Sequence, residues 1–130
     1  MILLDTHVVA WLALDSSRIS HKARNAISGQ RESGNGLAIC DMSLLELGVL
    51  ARKGRIQLDI SIESFLREVE SRFVVLPLSG RACARALDLP SSYPRDPADR
   101  VIGATAMVEG LTLVTADRAI QKSGLVRTIW

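Results

Sequence analysis

Met1-Ile-Leu-Leu-Asp5 is followed directly by Thr6-His-Val-Val-Ala-Trp-Leu-Ala-Leu14. The first segment is a short apolar run that ends on a carboxylate, and such a run predicts a buried strand. The second segment carries apolar side chains at helical spacing, so it predicts a helix that begins where the strand ends. A strand that leads into a helix is the opening of a β-α-β unit, so this stretch indicates an α/β fold.

The rest of the chain repeats this alternation of short apolar runs and helical segments. Further strands are predicted over residues 37–40, 73–76, 111–115 and 125–129. Helices are predicted over about 20–29, 43–53, 61–72, 79–87, 97–110 and 117–122, with a loop over 30–36 after Gly29. Strands separated by helices pair in parallel, and helices then cover both faces of the sheet. We therefore predict an α/β fold in three layers, with a central, mostly parallel sheet of four to five strands flanked by helices.

Length and composition limit the class of protein further. A chain of 130 residues that is 48% hydrophobic can bury one core, so we expect a single domain over residues 1–130. No apolar stretch approaches the roughly 20 residues of a membrane-spanning helix, and the N-terminus lacks the pattern of a secretory signal. We expect a soluble, cytoplasmic protein. Cys40 and Cys83 form no metal-binding pattern, so free thiols are expected.

Carboxylates follow several of the predicted strands. Asp5, Glu46 and Asp117 come after the first, second and fourth strands, and Asp99 lies in the first turn of a helix. In a parallel sheet the carboxyl ends of the strands and the N-termini of the following helices lie along one edge. These four acids are therefore expected to converge in space.

Each of these acids also has a structural interpretation, because acids are favoured at helix N-termini. Ser43 and Glu46 have the spacing of a capping box, and Asp96 and Asp117 are placed as N-caps. Asp99 is more informative because the helix that it heads is almost wholly apolar. Crowded carboxylates repel by roughly 4 kcal/mol per pair at about 4 Å and an effective dielectric near 20, and a bound cation removes that repulsion. Oxygen ligands without a His or Cys cluster favour Mg²⁺ or Mn²⁺, and such a site suits phosphodiester hydrolysis.

Four blocks of the sequence resemble the PIN-domain family. They are Leu3-Leu-Asp-Thr-His7 with Trp11, Ser43-Leu-Leu-Glu-Leu47 with Lys53-Gly-Arg-Ile56, Asp96-Pro-Ala-Asp-Arg-Val-Ile-Gly-Ala-Thr-Ala106, and Leu113-Val-Thr-Ala-Asp117. More narrowly, essentially the whole chain resembles the VapC-type toxins of toxin–antitoxin pairs. The resemblance implies a PIN-like fold and an endoribonuclease that depends on Mg²⁺ or Mn²⁺. It also implies a homodimer and a cognate antitoxin that holds the enzyme inactive.

The resemblance assigns Asp5, Glu46, Asp99 and Asp117, one from each block, as catalytic metal ligands. It implies that Thr6 orients the metal or its water, that Asp96 is an auxiliary acid and that Thr115 supplies a supporting hydroxyl. Two positions depart from the family pattern: Asp41 stands where a small hydroxyl residue is usual, and Gly103 stands where alanine is common. Neither departure removes a ligand.

The basic residues have two interpretations. The net charge of +2 does not by itself indicate a nucleic-acid partner, although 13 of the 16 basic residues are arginine. Arg95, Arg100 and Arg118 lie near the acids in sequence, so they could bind RNA phosphates or equally form ion pairs with the acids. Compensation of a helix dipole explains a second basic group, which consists of Arg52, Lys53 and Arg55. A structural role is favoured for His7 because it lies in the first turn of its predicted helix and phosphodiester hydrolysis at a metal requires no imidazole. Trp11 and Trp130 are expected to be core or interface aromatics.

Two other functions are compatible with a small α/β protein. A phosphoacceptor domain resembling response-regulator receivers also combines this size with clustered acids, but the chain lacks an acidic pair after the first strand and a lysine after the fourth. A non-catalytic binding module would use the acids only as helix caps. The sequence leaves the RNA target and the number of metal ions open.

Overall fold

A computed structural model describes residues 1–130, and the elements alternate as the sequence predicts. In chain order they are β1 (Ile2–Leu4), α1 (Thr6–Leu14), a 3₁₀ turn (Ser16–Arg18), α2 (His21–Ser33), β2 (Leu37–Cys40), α3 (Asp41–Arg52), α4 (Ile62–Arg72), β3 (Val74–Leu76), α5 (Gly80–Leu87), α6 (Pro97–Glu109), β4 (Leu113–Val114), α7 (Arg118–Ser123) and β5 (Thr128–Ile129). The predicted class, α/β, is confirmed.

The five strands form one parallel sheet in the order β3-β2-β1-β4-β5. β1 lies at the centre, and the chain extends in one direction through β2 and β3 and in the other through β4 and β5. The strand order therefore reverses between β1 and β4. In open parallel sheets ligands bind at such a reversal, beyond the carboxyl ends of the strands. The topology alone marks the ends of β1 and β4 as the place for a site.

Helices cover both faces of the sheet, which confirms the three-layer prediction. Successive side chains of a strand point to opposite faces. Leu4 joins a core of 15 buried residues that includes Phe65 and Val69 of α4. Leu3 joins a second core of 10 buried residues that includes Ile102 of α6. Because both faces are buried, the strands have no polar side and read as continuous apolar runs.

Two helix boundaries differ from the predictions. α2 does not end at Gly29 but continues to Ser33, so the predicted loop over 30–36 is shorter, and Gly34 ends the helix in the left-handed conformation with a φ of 72°. One glycine inside a helix costs only about 1 kcal/mol, which is too little by itself to end the helix. α3 begins at Asp41, two residues before the predicted start. The 3₁₀ turn was not predicted.

Two further sequence predictions concern the thiols and the helices. Cys40 and Cys83 are both free, as predicted. No helix combines the length and the apolar character that crossing a membrane requires.

Candidate active site

Asp5 and Thr115 meet where the strand order reverses. Asp5 follows β1 and Thr115 follows β4, and their side chains are 7% and 0% exposed. The Asp5 Oδ1 atom accepts a hydrogen bond from the Thr6 backbone N–H at 2.8 Å, and Oδ2 accepts one from the Thr115 hydroxyl at 2.7 Å. The buried carboxylate is therefore held at both oxygens and cannot rotate freely.

Glu46 reaches the same region from α3. Its Oε1 atom accepts a hydrogen bond of 2.6 Å from the hydroxyl of Thr6, which also lies 2.9 Å from the hydroxyl of Ser43. The capping-box interpretation of Ser43 and Glu46 is therefore wrong. Because α3 begins at Asp41, with Cys40 as its N-cap, Glu46 lies in the second turn and reaches across to α1. Thr6 links Glu46 to Asp5, its neighbour in sequence.

Asp96 and Asp99 stand at the start of α6. Asp96 is the N-cap, as the sequence predicts, and its Oδ2 atom accepts a hydrogen bond from the Asp99 backbone N–H at 3.1 Å. The side chain of Asp99 makes no hydrogen bond to the protein and is half-buried. Among the acids of this region, Asp99 is thus the one whose carboxylate is entirely available for a ligand.

Asp117 caps α7, and this confirms the N-cap interpretation. Its Oδ1 atom accepts hydrogen bonds from the backbone N–H groups of Ala119 at 2.8 Å and Ile120 at 3.1 Å. The Asp117 N–H in turn donates to the Thr115 hydroxyl oxygen at 3.1 Å. Oδ2 takes part in neither cap bond, so Asp117 keeps one carboxylate oxygen for another partner.

The electrostatics confirm that the acids of this region act on one another. Burial, together with the negative charges of Asp5, Asp96, Glu46 and Asp117, raises the pKa of Asp99 to about 7. Burial also raises the pKa of Asp5 and of Glu46, although hydrogen bonds from Thr115 and from Thr6 lower them in part. Neighbouring carboxylates contribute to the raised pKa of Asp5, Glu46 and Asp99 because like charges disfavour the ionised form.

No lysine or arginine forms an ion pair with this acidic group, although the charge of His7 lowers the pKa of Asp5 and Glu46 in part. The one ion pair in the chain joins Glu63 to Arg67 on the surface of α4. The alternative in which arginines pair with the acids is therefore wrong. Asp5, Glu46, Asp96, Asp99 and Asp117 form what we call the acidic cluster.

A divalent cation would fit the acidic cluster in charge and in donor chemistry. The donors are carboxylate oxygens, which are the ligands that Mg²⁺ and Mn²⁺ prefer. No three His, Cys, Asp or Glu side chains are placed as a complete coordination site. Asp99 and the Oδ2 atom of Asp117 are the oxygens free to turn toward an ion, whereas Asp5 is fixed in place.

The three arginines expected to contact RNA differ from one another. Arg100 is half-buried, and its guanidinium donates to the carbonyl oxygens of Ala86, Leu89, Pro90 and Tyr93. The guanidinium therefore stabilises the proline-rich loop. Its contacts do not support a role in phosphate binding. Arg95 and Arg118 are exposed and make no side-chain hydrogen bond.

Tyr93 is a site residue that sequence reasoning missed. It is 1% exposed, and its hydroxyl donates a hydrogen bond of 3.1 Å to the backbone carbonyl of Asp99. Its ring lies against Gly103, where a Cβ atom would stand 1.9 Å from the Tyr93 hydroxyl oxygen. This contact explains why glycine replaces the usual alanine. The sequence signal that could have pointed to Tyr93 is that the one tyrosine of the chain lies in its proline-rich loop.

Asp41, the other departure from the family pattern, has a structural role. Its Oδ2 atom accepts a hydrogen bond of 2.9 Å from the backbone N–H of Leu78, so it anchors the segment after β3. No contact joins it to the acidic cluster.

A model of the PIN domain matches residues 2–124 of the chain. The chain belongs to the PIN-domain family. It is also 39% identical over 131 aligned residues to Ribonuclease VapC22 of Mycobacterium tuberculosis strain ATCC 25618 / H37Rv, an alignment that covers 99% of this PIN domain and 98% of the relative.

Solved structures share the fold of this PIN domain. VapBC2 from Rickettsia felis, bound to a DNA fragment from its promoter, superposes with a TM-score of 0.72 at 19% identity, covering 98% of this chain and 97% of that chain. DNA-bound VapBC from Salmonella typhimurium superposes with a TM-score of 0.71 at 22% identity, with coverage of 98% and 97%. At this identity the likeness concerns the fold.

Proposed function

We propose that this protein is an endoribonuclease dependent on Mg²⁺ or Mn²⁺, the toxin of a toxin–antitoxin pair, with residues 1–130 as one PIN-like domain. The observation that carries the proposal is the acidic cluster, which lies at the reversal of the strand order with no basic side chain paired to it. Similarity to a relative named as a ribonuclease supports RNA as the substrate.

In this proposal Asp5, Glu46, Asp99 and Asp117 hold the cation. When bound, the cation polarises a phosphoryl oxygen and lowers the pKa of a bound water. Hydrogen bonds within the protein orient the acids. Thr115 fixes Asp5, Thr6 fixes Glu46, and Asp96 fixes the first turn of the helix that carries Asp99. Hydrogen bonds to supporting groups of this kind set the orientation of metal ligands.

Asp99 is the acid on which metal binding depends most. Its raised pKa means that, near neutral pH, a large fraction of the side chain is protonated in the absence of a cation. Asp99 would have to be ionised to hold a cation, so its side chain would lose its proton when the site is filled. The free carboxylate and the raised pKa both fit a ligand that becomes fully charged only when metal arrives.

The partner is a cognate antitoxin, and the protein acts in the cytoplasm as a homodimer. Similarity in fold to toxin–antitoxin complexes, which include one from Klebsiella pneumoniae with a TM-score of 0.59, supports the antitoxin. Blocking the acidic cluster would be sufficient to inhibit the enzyme. Purification from the native operon with a small protein bound would support this partner, and purification of the chain alone would count against it.

The experiment that tests the activity compares four proteins on RNA with Mg²⁺: wild type, Asp5→Asn, Asp99→Asn and Asp59→Asn. Asp59 is an exposed acid outside the acidic cluster, so its substitution is the matched control. We expect the two cluster variants to cleave about a hundredfold more slowly and the control to cleave normally. Full cleavage by folded Asp99→Asn protein, with circular dichroism as the check of folding, would overturn the proposal.

A further inference from the structure

A groove runs from the acidic cluster along the exposed side of α1. It consists of two adjoining depressions of about 240 Å³ and 350 Å³. The first is lined by Thr6 and Glu46 of the site together with Lys53, and the second is lined by Trp11 and Arg18. His7, Leu50 and Arg55 line both depressions, so the two form one continuous groove. The lining residues of α1, from Thr6 to Leu14, span about 12 Å along the helix axis.

Two basic side chains of this groove, Lys53 and Arg55, have no partner within the protein. Lys53 and Arg55 are exposed, and neither makes a side-chain hydrogen bond or an ion pair. Both stand beside Glu46, at the edge of a site that carries several negative charges. Unpaired cations next to an acidic metal site are suited to an anion that spans the two regions, as a polynucleotide backbone does.

The side chains of Lys53 and Arg55 are not used as hydrogen-bond donors to the carbonyl groups at the end of α3. Backbone N–H groups already satisfy the last carbonyl groups of α3: Lys53 donates to Val49, Gly54 to Ala51, and Arg55 to Leu50. Gly54 turns the chain in the left-handed conformation, with a φ of 72°. Ile56, which is 4% exposed, anchors the segment in the core. The turn therefore holds Arg55 at the groove, with its side chain free to bind a ligand.

The far end of the groove presents flat groups instead of isolated charges. The guanidinium carbon of Arg18 lies 4.6 Å from the centre of the Trp11 ring. Trp11 also contacts Trp130, with ring centres 5.7 Å apart, and this contact fixes the orientation of its indole. Aromatic rings and guanidinium planes are the surfaces on which unpaired nucleobases stack. An acidic polypeptide would use the basic residues but has no need of this stacked pair.

We propose that this groove binds single-stranded RNA on one side of the cleavage site, with Lys53 and Arg55 on a phosphate next to the scissile one and with Trp11 and Arg18 against a base. The inference rests on the proposed ribonuclease function. It adds the direction in which the strand leaves the acidic cluster and the residues that hold it there.

The test measures binding without cleavage. A fluorescently labelled RNA strand of about 12 nucleotides is titrated with protein in EDTA, and anisotropy is recorded between about 50 and 200 mM KCl. Arg55→Gln is compared with Arg52→Gln, which removes the same charge from the same helix end but lies outside the groove. We expect Arg55→Gln to weaken binding about tenfold and to reduce the salt-dependence slope by about 0.7, as for one lost phosphate contact. Arg52→Gln should change neither quantity by a comparable amount.

A second measurement tests the stacking. In a Trp130→Phe variant, Trp11 is the sole tryptophan, so its fluorescence reports on this part of the groove. RNA should quench that fluorescence, whereas polyglutamate, an acidic chain without bases, should not. Equal effects of Arg55→Gln and Arg52→Gln would overturn the proposal, and so would tighter binding of polyglutamate without quenching by RNA. Cleavage by the wild type with Mg²⁺ is scored separately, so loss of the groove and loss of the ribonuclease function are distinguishable.

Discussion

Gly103→Ala should destabilise this protein, although alanine favours helices more than glycine does. Gly103 lies inside α6, and a Cβ atom there would stand 1.9 Å from the hydroxyl oxygen and 2.7 Å from Cζ of Tyr93. Carbon atoms in ordinary contact lie about 3.5–4.0 Å apart. Tyr93 is 1% exposed, and Arg100 binds the carbonyl of the same residue, so the ring cannot move without moving the loop.

The expected size follows from three contributions. Overpacking a buried site costs about 1–3 kcal/mol. Loss of the hydrogen bond from Tyr93 to the Asp99 carbonyl costs about 1 kcal/mol more. The higher helix propensity of alanine offsets about 1 kcal/mol. The free energy of unfolding should therefore fall by about 1–3 kcal/mol, which lowers Tm by about 4–12 °C in a chain of this size.

Two variants make the test specific. Gly29→Ala is the matched control because Gly29 also lies inside a helix, yet no atom stands within 4 Å of its Cβ position; that variant should be more stable by about 0.5–1 kcal/mol. Tyr93→Phe removes the nearest atom, so Gly103→Ala should cost less in that background, with a coupling of about 1 kcal/mol. Urea and thermal unfolding, followed by circular dichroism, measure wild type, the three single variants and the double variant. A Gly103→Ala variant that is as stable as wild type, or an additive double variant, would refute the reasoning.

Three further outcomes are expected. Burial and the neighbouring carboxylates raise the folded-state pKa of Asp99 to about 7, so its ionisation destabilises the fold increasingly from about pH 4 to pH 7. Mn²⁺ should therefore raise Tm more at pH 8 than at pH 5.5, and equal shifts would contradict this. Thr6→Val removes the donor to Glu46 and should slow cleavage about tenfold, whereas Thr6→Ser keeps the hydroxyl and should cleave at the wild-type rate. A Val variant as fast as the Ser variant would exclude the role of Thr6 in orienting Glu46. Arg100→Met should destabilise the protein by about 2–4 kcal/mol because four carbonyl groups lose their donor, and trypsin should then cut faster at Arg95 in the loop; unchanged digestion would argue against it.

Local signals explain why some elements were predictable. Asp96 and Pro97 specify the start of α6, and Gly110 specifies its end, because an N-cap, a first-turn proline and a left-handed glycine act on their immediate neighbours. Gly29 carries the same kind of signal but does not end α2, because the left-handed turn occurs at Gly34, where Asn35 donates to the Gln30 carbonyl. A glycine is informative only where the backbone needs its conformation.

The convergence of the acids was predictable for a different reason. Parallel pairing brings every strand end to one edge, so Asp5 and Asp117 follow neighbouring strands whatever packs around them. The partner of Glu46 was not predictable, because it depends on how α3 crosses α1. The contact between Tyr93 and Gly103 likewise depends on the path of a proline-rich loop, which sequence periodicity does not describe.

The helix-cap and metal-ligand interpretations of these acids do not exclude each other. A carboxylate has two oxygens, and Asp117 uses only Oδ1 for the backbone of α7. The same cap bonds that stabilise the helix hold the side chain in one orientation, with Oδ2 free for another partner. Asp99, which caps nothing, has no such hydrogen-bond support, and it is also the acid whose pKa is raised to about 7. A cluster with acids fixed by caps and one carboxylate free of hydrogen bonds can therefore be stable without metal and still bind a cation when one arrives.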